Sequence, residues 1–558
     1  MGLGILNTKE HQHVFGTTLL EEKEPEGVET SRLKVDPRNP QVILVPQPSD
    51  DPNDPLNWSL LKKNLCFIAL CCGSSISTCA GPMLSSAYLD LEVEFSMSLT
   101  KVVQFGSIVM IMGAPALWIA GSLIPIVGKR PLILMSILLE AVTSVWGAKA
   151  NSYGSMLGAR AVMGISNGPP EAVVAGVIGD LFFLHERGFY SSMWNMSQLI
   201  ATNISPLIPA FIVVRLGWRW AFWILAICSI VVFGLIFFLA PETHYVRSLQ
   251  GDDISLPEDV ADNMNQEEKG NVLHAEIPPA ATSRNPSPSH EKSYIGQLRI
   301  FNGVTLGISF WDSLTRPFVV LLFPTVLFAS FGYTMSICYS VLLSNSVAQV
   351  MGEDPYNFST IELGVLYVSP IVWTFIAFLI AGRLSDYFSK NMALLNRGVF
   401  EPEFRLVLII ALLVLGVMSL IGYGLSVIKH VHWFGPVFFF GMNSAAACFG
   451  NTAYISYVID AHRTLAAESL IAFGIFKSVL IYILLYFITD WINNQGVKKT
   501  FITLACLNVF CCLTAVPMYI NGKRTRRFIQ SIRVLNRLQV QEMEQERERE
   551  AMEMRNED

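Results

Sequence analysis

Long apolar runs separated by short polar connectors set the pattern of this chain. Runs at about 64–84, 102–124, 131–149, 156–181, 189–213 and 218–240 are followed, after a polar interval, by runs at about 317–343, 359–381, 404–428, 433–458, 465–489 and 500–521. Each is close to the ~20 residues that an α-helix needs to cross the hydrocarbon core of a bilayer. The pattern predicts an all-α membrane protein of twelve spans in two sets of six. The polar stretches complete the division: 1–60 as an N-terminal tail, 61–240 as the first half, 241–315 as a linker, 316–521 as the second half and 522–558 as a C-terminal tail.

The connectors refine the picture. Residues 241–294 are acidic, poor in aromatics and rich in Pro, Ser and Asn, the composition of a disordered linker. The following LRIFNGVTLGISFWDSLT reads as an interfacial helix that enters the next span at Arg316–Pro317. Trp58 is expected at the headgroup level, with Lys62 and Lys63 holding the first span on the inner side. Short connectors on that side carry Lys129, Arg130, Arg187, Arg383, Lys390, Arg397, Arg405 and Arg463, followed by the KRTRR patch after the last span. Fewer basic residues lie opposite, so both termini are expected in the cytosol.

Composition agrees with a membrane protein: of 558 residues, 52% are hydrophobic and 15% charged. The net charge of -6 is concentrated in the polar ends and the linker and argues for no nucleic-acid partner. The ten cysteines show no metal-ligand spacing and predict neither a metal site nor a structural disulfide. No phosphate-cradling Gly-Lys-Ser/Thr loop is present, which disfavours ATP drive, and no cofactor or enzymatic activity is expected.

Candidate chemistry comes from polar residues inside apolar runs, where charge is costly and therefore informative. In the fourth run Arg160, Gly164, Asn167 and Glu171 share one helical face, with Arg160 and Glu171 about 16 Å apart. That stripe must face protein or water, and it is read as a pathway wall. Glu171 follows Pro169–Pro170, which interrupt the helical ladder; the carboxylate is either a proton or cation site beside a bend, or a cap on a helix restarted by the prolines. In the fifth run Asn195, Gln198, Thr202 and Ser205 lie within an arc of about 80°. Tyr333, Ser336 and Ser340 share a face of the seventh run, and Asn443, Asn451 and Tyr454 a face of the tenth. These faces suit a wet cavity, and equally interhelical hydrogen bonding and close packing. Glu468 and Lys477 lie nine residues apart on opposite faces of one run, so each needs another partner. Glu140 is read as reaching the interface and is left outside the site.

A weak internal repeat supports two halves. GSLIPIVGKRP at Gly121–Pro131 follows the second span of the first half, and GRLSDYFSKN at Gly382–Asn391 follows the second span of the second. With DPLNW at Asp54–Trp58, DLFFLHERG at Asp180–Gly188, GWRWAFWI at Gly217–Ile224, PET at Pro241–Thr243 and YVIDAHRTLAAESL at Tyr457–Leu470, residues 50–522 resemble the major facilitator superfamily. More narrowly they are similar to its fungal branch of twelve-span drug/proton antiporters and polyamine-type carriers. The resemblance implies two six-helix bundles around a central cavity that opens alternately to either side. It links Arg160 to proton coupling, against which stands a purely structural ion pair. It matches Gly121, Lys129, Arg130, Arg383 and Asp386 to an inner gate, with Asp180, Glu186 and Arg187 as a charge relay. Pro125 stands where the first-half gate has an acid, and Ser205–Pro206 and Pro209–Ala210 where an antiporter's fifth span has Gly-Pro and Gly-Gly.

The expected function is secondary transport of a small organic solute by proton-coupled efflux of a drug, toxin or secondary metabolite. Arg160 and Glu171 would couple protons; Asn195, Gln198, Tyr333, Asn443, Asn451 and Tyr454 would line the cavity. Proton-coupled uptake of a polyamine, cation or other nutrient is the alternative within transport, and a non-transporting membrane receptor the alternative outside it. The partners implied are the solute, protons and the lipid bilayer. The chain is expected to act as a monomer in the plasma membrane, with the vacuolar membrane as the other location.

Overall fold

The computed structural model describes residues 48–49, 51–243, 294–301, 303, 310–352, 354, 356–396, 399–462 and 465–531, with strand residues at 18–19, 35–36 and 39–43. The linker expected to be disordered lies outside the described residues over 244–293, as do most of the N-terminal tail, residues 532–558, Arg397 and Arg463.

The apolar runs are helices. Before the linker come α1 (Leu60–Cys79), the short α2 (Tyr88–Phe95), α3 (Leu99–Val127), α4 (Lys129–Ala148), α5 (Tyr153–Leu181), α6 (Leu184–Leu216) and α7 (Trp218–Leu239). After it come the short α8 (Tyr294–Gln297), α9 (Phe310–Leu321), α10 (Pro324–Gly352), the short α11 (Thr360–Val365), α12 (Val368–Leu395) and α13 (Ile409–Ile428). The last three are α14 (Phe434–Ala461), α15 (Ala466–Leu513) and α16 (Ala515–Ser531). Two short antiparallel strand pairs join Thr18–Leu19 to Val399–Phe400 and Val35–Asp36 to Asn39–Ile43.

Single glycines make the tightest corners. Gly128 (φ 92) separates α3 from α4 and Gly217 (φ 87) separates α6 from α7, each in backbone space that a side chain would strain. Gly496 (φ 77, ψ 157) breaks α15 into two arms, which correspond to the runs expected at 465–489 and 500–521. Several limits differ from the sequence expectation, among them the eighth span, where α12 runs on to Leu395 past the expected end at 381. The first span ends at Cys79 rather than 84, just before Gly81–Pro82. The seventh begins at Pro324 rather than 317, because residues 310–321 form the separate helix α9. Helix α5 runs through Pro169–Pro170 without a restart, so Glu171 caps no new helix.

Helices α1 and α3–α7 pack on one another, as do α10 and α12–α15. The two groups meet along α3 with α15, and along α6 with α11 and α12. Small residues permit these approaches: Gly121 of α3 receives the side chain of Ile471, and Gly474 of α15 that of Leu117. Within the first group, α5 presses Gly164 and Gly168 onto the backbone of α3 at Val109 and at Ala116–Leu117.

Among the described residues nine helical segments are long and apolar enough to cross a membrane, with 466–529 counted once. Helices α5 and α14 are as long but more dilute in apolar residues, and each is the fourth long helix of its group.

Gly168→Val would drive a side chain into the backbone of α3. The expected cost is about 1–3 kcal/mol of stability, read as a lowered melting temperature of the purified protein with its size-exclusion profile compared to wild type.

Candidate functional site

A cavity lies between the two helix groups. Its polar wall in the first group comes from Thr78 of α1, Asn167 and Glu171 of α5, and Asn195, Gln198 and Thr202 of α6. The second group supplies Tyr333, Ser344 and Asn345 of α10, Asn451 of α14 and Lys477 of α15. Trp194, Met110, Ile337, Val341 and Ile481 are among the apolar side chains between them.

Contacts between lining residues cross this cavity from one group to the other. Lys477 Nζ donates to Glu171 Oε1 at 2.6 Å, with both side chains partly exposed to the cavity. Asn451 Nδ2 donates to Asn195 Oδ1 at 3.5 Å, while Asn451 Oδ1 accepts from Ser336 at 2.8 Å. In the first wall Thr78 Oγ1 donates to Gln198 Oε1. At one end of the bundle the groups are joined by Tyr88 Oη to Asn345 Oδ1 (3.2 Å), Thr360 Oγ1 to Asp90 Oδ2 (2.8 Å) and Thr100 Oγ1 to Asp490 Oδ1 (3.1 Å). Toward the other, Trp118 Nε1 donates to Leu314 O at 2.7 Å, and Ser122 and Ser313 exchange hydroxyl-to-carbonyl bonds between α3 and α9.

Of the residues expected to meet here, Glu171, Asn195, Gln198, Tyr333 and Asn451 line the cavity. Asn443 and Tyr454 do not, and the reason is helix packing. The polar face of α14 meets the polar face of α10: Asn443 donates to Ser340 at 2.9 Å, Asn451 accepts from Ser336, and the Tyr454 ring covers Gly332. Ser419 of α13 also donates to Asn443, at 3.1 Å. Two faces expected to look into a cavity thus mostly look at each other.

Arg160 lies outside the cavity as well, fully buried in the first group. Its guanidinium donates to the carbonyl oxygens of Phe105 (2.8 Å), Gly81 (2.8 Å) and Ala80, so it ties α5 to α3 and to the end of α1. No carboxylate contacts it among the described residues. Lys477 joins the site instead. Its signal in the sequence was a lone charge in an apolar run without a partner on its own helix.

The expected gate residues fall into two clusters. In the first group Lys129 pairs with Asp180, and Arg187 donates to Gly179 O (2.6 Å) and Phe182 O (3.0 Å), closing the C-terminal end of α5. Glu242, within the PET signal but given no role from sequence, accepts from the backbone N–H groups of Lys129 and Arg130, both at 3.1 Å, at the start of α4. A carboxylate there complements the helix dipole. Gly121 belongs to the seam between α3 and α15. In the second group Asp386 pairs with Arg405 at 2.6 Å rather than with Arg383, and Arg405 also holds Asp460 at 3.0 Å. Arg383 is exposed and has no ion pair among the described residues.

Membrane-length helices in two groups around a polar cavity, bridged inside it by one ion pair, are the build of a multi-pass membrane transporter. The chain belongs to the Major Facilitator Superfamily, whose family profile matches residues 65–480. An uncharacterized transporter of this type from Schizosaccharomyces pombe is 27% identical over 92% of each chain. Protein HOL1 of Saccharomyces cerevisiae is 25% identical over 87% of this chain and 90% of its own. The efflux pump radE of Floropilus chiversii is 24% identical over 81% and 79% respectively.

Lys477→Met would leave Glu171 without its partner, and Glu171→Gln would do the reverse. Each change is expected to cost about 1–3 kcal/mol, between the exposed and fully buried limits for ion pairs, and the double variant less than the sum. Melting temperatures of the four proteins measure this; strict additivity would show that the two side chains do not interact.

Proposed function

We propose that this transporter exports a small organic solute in exchange for protons, with both termini cytosolic and the plasma membrane as its location. The observation that carries the reading is the Glu171–Lys477 pair, which joins α5 to α15 within the cavity. A carboxylate can hold a proton or a lysine, not both at full strength. Protonation of Glu171 releases Lys477 and removes a tie between the helix groups; loss of the proton restores it. Rocking of one half against the other, with the solute site between them, turns that exchange into alternating access.

The cavity wall suits a solute with an apolar body and a few polar groups. Trp194, Met110, Ile337 and Val341 offer apolar surface, and Asn195, Gln198, Tyr333 and Asn451 offer hydrogen bonds that fix orientation. Export over uptake is supported by the name of one relative, an efflux pump. The basic connectors support the orientation.

The test uses proteoliposomes under an imposed pH gradient with ethidium, tetraphenylphosphonium and spermidine as probes. Movement of a probe against the direction of proton flow is expected for the wild type, and a roughly tenfold loss of the gradient-driven component in Glu171→Gln, within the usual range for linked sites. Unchanged coupling in that variant would remove Glu171 from the mechanism. Movement of spermidine together with protons would replace export by uptake.

A further inference from the structure

The first helix group buries a second carboxyl group that the cavity does not use. Glu140 of α4 is fully buried, as are Ser166 of α5, Ser77 of α1 and Ser229 of α7. Its Oε2 is in hydrogen-bond contact with Ser166 Oγ, and the same Oγ stands 2.7 Å from the carbonyl oxygen of Met163, one turn back on α5. A hydroxyl has one proton to donate and two lone pairs. A carbonyl oxygen has none to give, so Ser166 meets two acceptors, the Met163 carbonyl and Glu140 Oε2, with a single proton. A proton on Glu140 relieves that conflict, because Oε2 then donates to Oγ while Ser166 donates to Met163.

Further buried polar atoms on the neighbouring helices also lack partners among the described residues. Glu140 Oε1 and the hydroxyls of Ser77 and Ser229 have no hydrogen-bond partner among the described residues. Their helices are in register: Gly73 of α1 faces Ile137 of α4 and Ile236 of α7, which brings Ser77, Glu140 and Ser229 to neighbouring levels one to two turns on. The ionisable groups acting on Glu140 are Arg160 from α5 and, from α1, Cys79, beside which α7 places Cys228; α3 adds none among the described residues. Arg160 makes its contacts elsewhere, on the carbonyls of Ala80, Gly81 and Phe105. An ionised carboxylate without an ion-pair partner this deep in a membrane bundle would be very costly.

We propose that Glu140 is a proton-carrying site of this transporter, separate from the cavity pair, holding its proton against Ser166 while Arg160 is engaged by backbone carbonyls. The inference rests on the reading of proton-coupled transport. Ser166 and Glu171 point about 140° apart around α5, so one helix carries a proton site on one side and the cavity pair on another. On release the O–H bond of the acid breaks and the proton passes to water. The carboxylate that remains draws the guanidinium of Arg160 away from Ala80, Gly81 and Phe105. Gly81 and Gly106 line the cavity beside Tyr88, whose hydroxyl bonds Asn345 across the two groups. Loss of the proton therefore loosens the wall that holds the groups together at that end.

Infrared spectroscopy of the purified full chain in lipid nanodiscs, in light and heavy water at neutral pH, tests the protonation without any solute or gradient. The wild type is expected to show the C=O stretch of a protonated carboxylic acid. That band should vanish in Glu140→Gln, persist in Glu171→Gln, and persist at a shifted frequency in Ser166→Ala. A band absent from the wild type, or retained in Glu140→Gln, overturns the proposal. Should Glu140→Gln fail to give a folded size-exclusion peak, an unshifted band in Ser166→Ala overturns it instead. In the ethidium proteoliposome assay, Glu140→Gln is expected to keep downhill movement but lose its response to the pH gradient. A response equal to wild type would make Glu140 a structural group only. Failure of gradient-driven transport in the wild type would sink the functional reading while leaving the infrared result intact.

Discussion

Lipid offers no partner to a charge, and the helices of this protein are arranged by that constraint. Each charged side chain within the bundle has to find its complement in another helix or in a backbone carbonyl, and the choice of complement determines which helices meet. Lys477 finds Glu171, so α15 is drawn to α5 across the middle of the molecule. Arg160 finds three carbonyl oxygens, so α5 is fastened to α3 and to the end of α1. The two solutions have different mechanical meaning. A guanidinium on carbonyls is a fixed structural tie until a carboxylate competes for it, whereas a lysine–carboxylate pair responds to one proton.

Polar residues also decide which helices stay rigid. The α10–α14 contact is a ladder of Ser340 with Asn443, Ser336 with Asn451, and Gly332 beneath Tyr454. Its lower rungs are spent on packing, and only Asn451 keeps a hand in the cavity through Asn195. In the first group the close approach of α5 to α3 through Gly164 and Gly168 has the same effect. Two stiff helix pairs thus form part of the cavity wall, and the groups meet along other helices, α3 with α15 and α6 with α11 and α12. That division suits the proposed rocking of one half against the other.

Much of the fold could be read from the sequence, because run length alone identifies a membrane helix. The exceptions have local causes. The stretch entering the second half forms its own helix before Pro324, and the helix of the eighth span runs on to Leu395, past the expected end at 381. The site was only partly legible. Helical periodicity shows which residues share a face, but not what the face meets, so it points Asn443 and Tyr454 toward a cavity that neither lines. Lys477 stood out as a charge without a partner, yet its partner lies 306 residues away in the other half. Glu140 reads from sequence as an interfacial group, because nothing in its own run indicates that it is fully buried. Glu242 lay within a recognisable motif, but its role appears only when the end of α7 is seen beside the start of α4.

Arg130 has a consequence for the chain's capacity to vary. Its guanidinium is bonded at once to the carbonyls of Phe237 (2.7 Å) and Ala240 at the end of the first half, and to that of Leu298 (3.2 Å) on the far side of the long intervening segment. The two ends of that segment are therefore held side by side by a single residue, whatever lies between them. Closing a longer loop costs only about 0.6 kcal/mol for each doubling of its length. The segment can gain or lose residues, acquire recognition sequences or accept an inserted domain while both ends remain at one anchoring point. Divergence in length is then nearly free for the transporter's geometry, and new functions can be added at that point in the chain.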